Sequence, residues 1–163
     1  QGQPHPNAVF GVATVQEEVG LRGARTSAHQ VNPDIGLTLE VGLAGDVPDT
    51  SPEQCAAKLG GGAEIVAYDA SMLPSLRLRD LALDVAKENN IKVQVDSIPA
   101  GGTDGGAIHL NGCGVPSLVI CVPTRHIHTN HGILHRDDFD AAVNLVVGLI
   151  QKLDAKTVAW IKE

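Results

Sequence analysis

Aromatic side chains are nearly absent. Only Phe10, Tyr68, Phe139 and Trp160 occur, 2% of 163 residues. A core must therefore be filled by Val, Leu, Ile and Ala, and the chain lacks a stacking platform for single-stranded nucleic acid. Positive charge is also scarce. Twelve Lys and Arg stand against 19 Asp and Glu, a formal net charge of −7, the wrong sign for a general binder of phosphate backbones. No apolar run approaches the ~20 residues that a membrane-spanning helix needs. Neither nucleic acid nor a membrane is expected as a partner. Three cysteines, Cys55, Cys113 and Cys121, show no CxxC spacing. They suggest a reducing, cytoplasmic setting rather than a disulfide framework, with Cys113 and Cys121 as small buried hydrophobes. A Walker loop, a dinucleotide fingerprint and a G-x-S-x-G elbow are all lacking. Residues 1–6 are polar and carry no signal-peptide core. The chain starts at Gln1 rather than at a methionine, so an upstream segment is expected.

What is present is an alternation of strand and helix patterns within a length that suits one domain. Residues 8–15 (AVFGVATV) and 117–122 (SLVICV) are apolar runs that predict buried strands, as in a parallel sheet covered on both faces. Residues 34–41 and 63–68 predict two more, and residues 91–95 (IKVQV) alternate as a half-exposed or edge strand would. Ser75 is placed to cap a helix reaching about Asn90, with Leu78, Leu81, Ala82, Val85 and Ala86 on its inner face. A second helix opens at Asp137-Asp138 and closes at Lys152, as the helix dipole favours. Its predicted inner stripe is Phe139, Ala142, Val143, Val146, Leu149, Ile150 and Leu153. Residues 42–58 are the least regular, and Gly60–62 and Gly101–102 read as turns. The expected class is α/β, a layered sheet with helices on both faces.

Four features could carry chemistry. Glu17-Glu18 directly follow the predicted strand 8–15, and functional groups in open α/β sheets gather beyond strand carboxyl ends. Alone, the pair also reads as a solvated acidic turn. Glu40 sits in an apolar strand pattern, where a charge is costly unless paired or ligated; a strand-end residue reaching solvent is the alternative. Asp46 reads as a loop residue that helps turn the chain. The glycine-rich stretch 101–106 (GGTDGG) allows close approach of backbone to a ligand, or is a turn with Asp104 opening a short helix. Finally, four of the seven histidines fall between positions 126 and 135, just past the strand 117–122. Carboxylates with imidazole form a donor set that suits zinc, cobalt or manganese.

The string 12–24 (VATVQEEVGLRGA) resembles the signature of the tetrahedral, dodecameric metallo-aminopeptidases, the glutamyl and deblocking type, whose members are often labelled endoglucanases. The resemblance continues through 98–108 (IPAGGTDGGAI) and 123–129 (PTRHIHT) and covers nearly the whole chain. It implies a zinc-exopeptidase fold of the phosphorylase/hydrolase kind and two divalent metal ions. By the same resemblance Glu17 is the general base, Glu18 and His128 are ligands of one ion, and Glu40 is a ligand of the other. Gly102, Thr103 and Asp104 lie near the substrate pocket. Two departures stand out: Glu40 falls where the family usually has aspartate, and His126 where it usually has tyrosine.

The resemblance also implies that residues 1–163 form only the C-terminal portion of the catalytic domain. The N-terminal portion, with an inserted dimerisation domain, supplies a histidine ligand and a bridging aspartate. The whole enzyme is expected to release amino-terminal residues from peptides and to form a dodecamer. The chain alone is expected to bind metal weakly, to be inactive and to associate through uncovered core surface. Two other readings are a non-catalytic α/β interaction module and a glycan hydrolase. The second is disfavoured because adjacent carboxylates are poorly placed to flank a glycosidic bond.

Overall fold

The computed structural model describes residues 2–163. Its sheet is built from β1 (Gly36–Leu43), β2 (Ala63–Asp69), β3 (Val93–Ile98), β4 (Ser117–Arg125) and β5 (Ile133–Leu134). The strand order is β1-β4-β2-β3, with β5 paired to the end of β4. β1 runs parallel to β4 and β2 parallel to β3, whereas β2 and β4 are antiparallel. The sheet is therefore mixed. Continuous apolar runs report burial on both faces, which β4 has in full, from Leu118 to Cys121, but they do not report strand direction.

The helices are α1 (Arg22–Val31), α2 (Leu76–Glu88), α3 (Gly105–Ile108), α4 (Arg136–Lys152) and α5 (Ala155–Lys162). Ile65, Leu118 and Ile120 face α2 and α4, where they pack with Leu78, Val85, Leu145 and Leu149. Val66, Val119 and Cys121 form a smaller cluster with Met72 on the opposite face. Gly105 of α3 lies against Val119 and Met72 there. Helices thus cover both faces, as expected. Each fully buried Leu or Ile contributes about 1.5–3 kcal/mol through water release, so the aliphatic core compensates for the missing aromatics.

Ser75 caps α2 by accepting the Leu78 amide, and the inner face of α2 matches the sequence reading. That of α4 is rotated. Its buried residues are Asp138, Ala141, Ala142, Leu145 and Leu149, while Phe139 and Val143 are exposed. The cause is Asp138, which is 1% exposed. Its Oδ2 accepts from the Gly60 amide and its Oδ1 from the Gly62 amide, both at 2.7 Å. Drawing this carboxylate inward turns Phe139 outward, under the Arg136 guanidinium at 5.9 Å. Asp138→Ala is expected to destabilise the fold by about 2–4 kcal/mol, since it strands two buried amides that a charged acceptor had satisfied. Urea unfolding would measure this.

The predicted strand over residues 8–15 does not form. The segment is irregular, and Phe10, Val12 and Val15 are exposed. Side chains pin it rather than a hydrogen-bonded ladder: Asn7 donates to the carbonyls of Ile150 and Leu153, and Thr14 donates to Asp104. On the outer edge strand β1, Leu39, Val41 and Leu43 are also exposed. Cys113 is exposed too, contrary to the sequence expectation, because it lies in the turn before β4; Cys121 is buried, and all three cysteines are free.

Candidate active site

Glu17 and Glu18 are carried by a turn rather than by a strand end. The carbonyls of Val15 and Gln16 accept from the amides of Gly23 and Arg22, and the Glu17 carbonyl accepts from Gly20 and Leu21. Gln16 and Leu21 adopt left-handed backbone conformations at φ 60° and 55°, a strain that surrounding contacts must hold. Gly23 cannot be replaced without rearrangement, because a Cβ there would lie 2.5 Å from the Val15 backbone. α1, which the sequence reading missed, anchors this turn. Its buried residues, Gly23, Ala24 and Ala28, are small and leave no apolar stripe to read.

His128 arrives from the turn that follows β4. Its φ is 59°, and the Thr129 hydroxyl closes the turn by donating to the His126 carbonyl at 2.6 Å. β5 folds back onto Thr124 and Arg125. Asp46 ties the loop after β1 to this region, with Arg125 Nε at 3.0 Å and Nη2 at 2.5 Å. The outcome is direct contact between distant segments: His128 Nε2 lies 3.2 Å from Glu18 Oε1.

Glu40 is half-buried in β1, on the same face as Thr38 and Gly42. The Asp104 amide points to its Oε1 at a long 3.5 Å. Burial is the main cause that pushes the Glu40 carboxyl up to about 7; the Asp104 amide opposes this, and the charges of Glu17, Asp104 and Glu18 add to it. Glu17 is also raised, first by burial and then by the charges of Glu18 and Asp104, against His128. Glu17, Glu18, Glu40, Asp104 and His128 thus share one electrostatic neighbourhood. Thr103 and Asp104 are buried. Neither they nor Gly102 line the cleft of about 350 Å³ beyond the ends of β1 and β4, which His126 and Ile127 border.

Clustered carboxylates raise one another's proton affinity and favour a cation among them. Oxygen donors with one imidazole fit zinc and related ions. Among the described residues, however, no group of three His, Cys, Asp or Glu side chains is arranged to hold an ion. Glu18 and His128 make a two-donor arm, and a catalytic zinc site ordinarily has three protein ligands. The donor types fit such an ion, and the two donors that meet fall short of that count.

Sequence reading missed Asp69. Its Oδ1 accepts from the amide and hydroxyl of Ser71, each at 2.7 Å, and its Oδ2 from the Thr103 hydroxyl at 2.8 Å. This buried hub holds the glycine-rich stretch in place. An Asp two residues before a Ser at a strand end is an Asx-turn signature, the one local signal available.

A mixed sheet with helices on both faces, and an acidic pair beside a histidine beyond it, define an α/β protein with a carboxylate–imidazole cluster. The chain belongs to the M42 glutamyl aminopeptidase family, which matches residues 1–145. It is similar to the glutamyl aminopeptidase of Lactococcus lactis, 37% identical over 150 residues, covering 92% of this chain and 41% of that protein. The TET aminopeptidase structure from the marine sediment archaeon Thaumarchaeota archaeon SCGC AB-539-E09 superposes with a TM-score of 0.96 at 50% identity, over 98% of this chain and 45% of that one. The Pyrococcus horikoshii TET1 peptidase, described as assembling into a tetrahedron or a large octahedral shell, gives a TM-score of 0.71 at 31% identity, over 86% and 40% of the two chains. A Thermotoga maritima structure named endoglucanase gives 0.65 at 26% identity, over 91% and 41%. The chain spans about two-fifths of the length of the curated relatives it matches.

Proposed function

We propose that this chain is the C-terminal portion of the catalytic domain of a metal-dependent aminopeptidase, with the rest of that domain and a dimerisation domain lying outside it. The whole protein would release amino-terminal residues from peptides in the cytoplasm as a dodecamer. No helix among the described residues is long and apolar enough to cross a membrane. The observation that carries the reading is the 3.2 Å contact of Glu18 with His128, with Glu17 beside it and Glu40 within its electrostatic reach. Glu18 and His128 would hold one divalent ion and Glu40 a second, zinc or cobalt, with manganese as a third candidate. When bound, such ions acidify water and polarise a peptide carbonyl. Glu17 takes the proton from the attacking water and passes it to the leaving amine. Gly102, Thr103 and Asp104 would form part of the wall near the substrate.

The whole protein tests this. A chelator is expected to abolish cleavage of an aminoacyl arylamide, and zinc or cobalt to restore it, with no turnover of a cellulose oligomer. Chelator-resistant turnover would overturn the reading. Calorimetric titration of this chain alone with zinc is expected to show only weak uptake, because it holds too few donors; a tight two-ion isotherm would contradict that division of ligands.

A further inference from the structure

We infer that Thr14 and Asp104 are positioning residues that set the distance between Glu17 and Glu40. This rests on the functional reading above and adds to it a role for Thr14, and one for Asp104 beyond its place in the wall near the substrate. Asp104 immediately precedes α3, where an aspartate side chain ordinarily caps the helix. It makes no capping bond there. Its Oδ2 instead accepts from the Thr14 hydroxyl at 2.5 Å. The carboxylate is 5% exposed, and its Oδ1 has no partner among the described residues. A buried carboxylate with a single donor makes that one bond strong and costly to lose.

The bond spans two otherwise separate supports. Thr14 lies three residues before Glu17, in a segment that no strand pairs. The carbonyls of Val15, Gln16 and Glu17 are held by the amides that lead into α1, so the turn is fixed from that side on both flanks of Glu17. At the residue before Val15, the Thr14 hydroxyl adds a tie to a second support, Asp104. The backbone amide of Asp104 is in turn directed at Glu40 Oε1. Asp104 is itself rigidly set. Its neighbour Thr103 is bonded to Asp69, and Gly106 packs so closely on Ser71 that a Cβ there would lie 2.0 Å from the hydroxyl. A continuous path therefore runs from the general base through Thr14 and Asp104 to Glu40. Small misplacements of a base against its reacting atoms cost about 10²-fold in rate.

The test is Thr14→Val in the whole protein, since valine keeps the shape and removes only the hydroxyl. The expected result is a kcat lowered about 10- to 100-fold, with KM and zinc content per chain close to the parent's. Thr14→Ser, which restores the hydroxyl, is expected to recover kcat to within about threefold. Asp104→Leu combined with Thr14→Val is expected to lose no more than Asp104→Leu alone, because the Thr14 hydroxyl acts through that carboxylate. Parental kcat in Thr14→Val, or additive losses in the double variant, would overturn the inference while Glu17→Gln remains inactive. Turnover that survives Glu17→Gln would instead remove the functional reading, and this inference with it.

Discussion

Glu17→Gln in the whole protein is expected to lower kcat about 10³-fold, with KM nearly unchanged. Glutamine preserves the size of the side chain and its place on the turn, so the carbonyls of Val15, Gln16 and Glu17 keep their amide partners. What is lost is the ability to accept a proton. Burial, foremost, and then the charges of Glu18 and Asp104 raise the proton affinity of Glu17, and His128 opposes them. A base must take a proton from water and later return it, so an upward shift suits the task. The loss should appear in steady-state kinetics with an aminoacyl arylamide, and metal content should stay at the parent level because Glu18 and His128 are untouched. Unchanged kcat would show that another group accepts the proton.

The second large effect concerns stability. Glu64 is 2% exposed on β2, and its Oε2 has no partner among the described residues. It fills the space beside Gly42, where a Cβ would lie 1.9 Å from Oε2, with Cys121 adjoining. Burial, foremost, and the charge of Asp96, secondarily, push this carboxyl up from 4.5 to about 8. The folded state therefore holds its proton more tightly than the unfolded state. The resulting stability is complete below pH 4.5 and is lost as pH rises through 8. At pH 7 the native chain keeps a neutral acid that the unfolded chain would ionise, a penalty on the order of 3 kcal/mol. Glu64→Gln stays neutral at every pH. It is expected to flatten the pH dependence and to gain on the order of 2–4 kcal/mol over the parent at pH 8 relative to pH 4. Denaturant unfolding at the two pH values measures the difference; parallel curves for parent and variant would refute it.

Most of the regular elements can be read from local pattern. Ser75 and Lys152 mark helix ends because capping and dipole effects act over a few residues of chain. The apolar run around Ile120 marks a strand buried on both faces because every side chain in it must avoid water. Glu17, Glu18, Glu40 and His128 are conspicuous by residue type and by resemblance. Asp46, read as a loop residue, proves to bind Arg125.

What the string of residues determined, then, is its alternation of strands and helices, their approximate limits, and the types of donor available for chemistry. Tertiary structure alone decided that β2 opposes β4, that residues 8–15 pair with no described strand, that Asp138 turns α4, and that Thr14 meets Asp104 across 90 positions. The physical reason is range. Periodicity and capping are properties of neighbours in sequence, whereas strand direction, the burial of one carboxylate and the meeting of two side chains depend on free energies shared by segments that only the folded chain brings together.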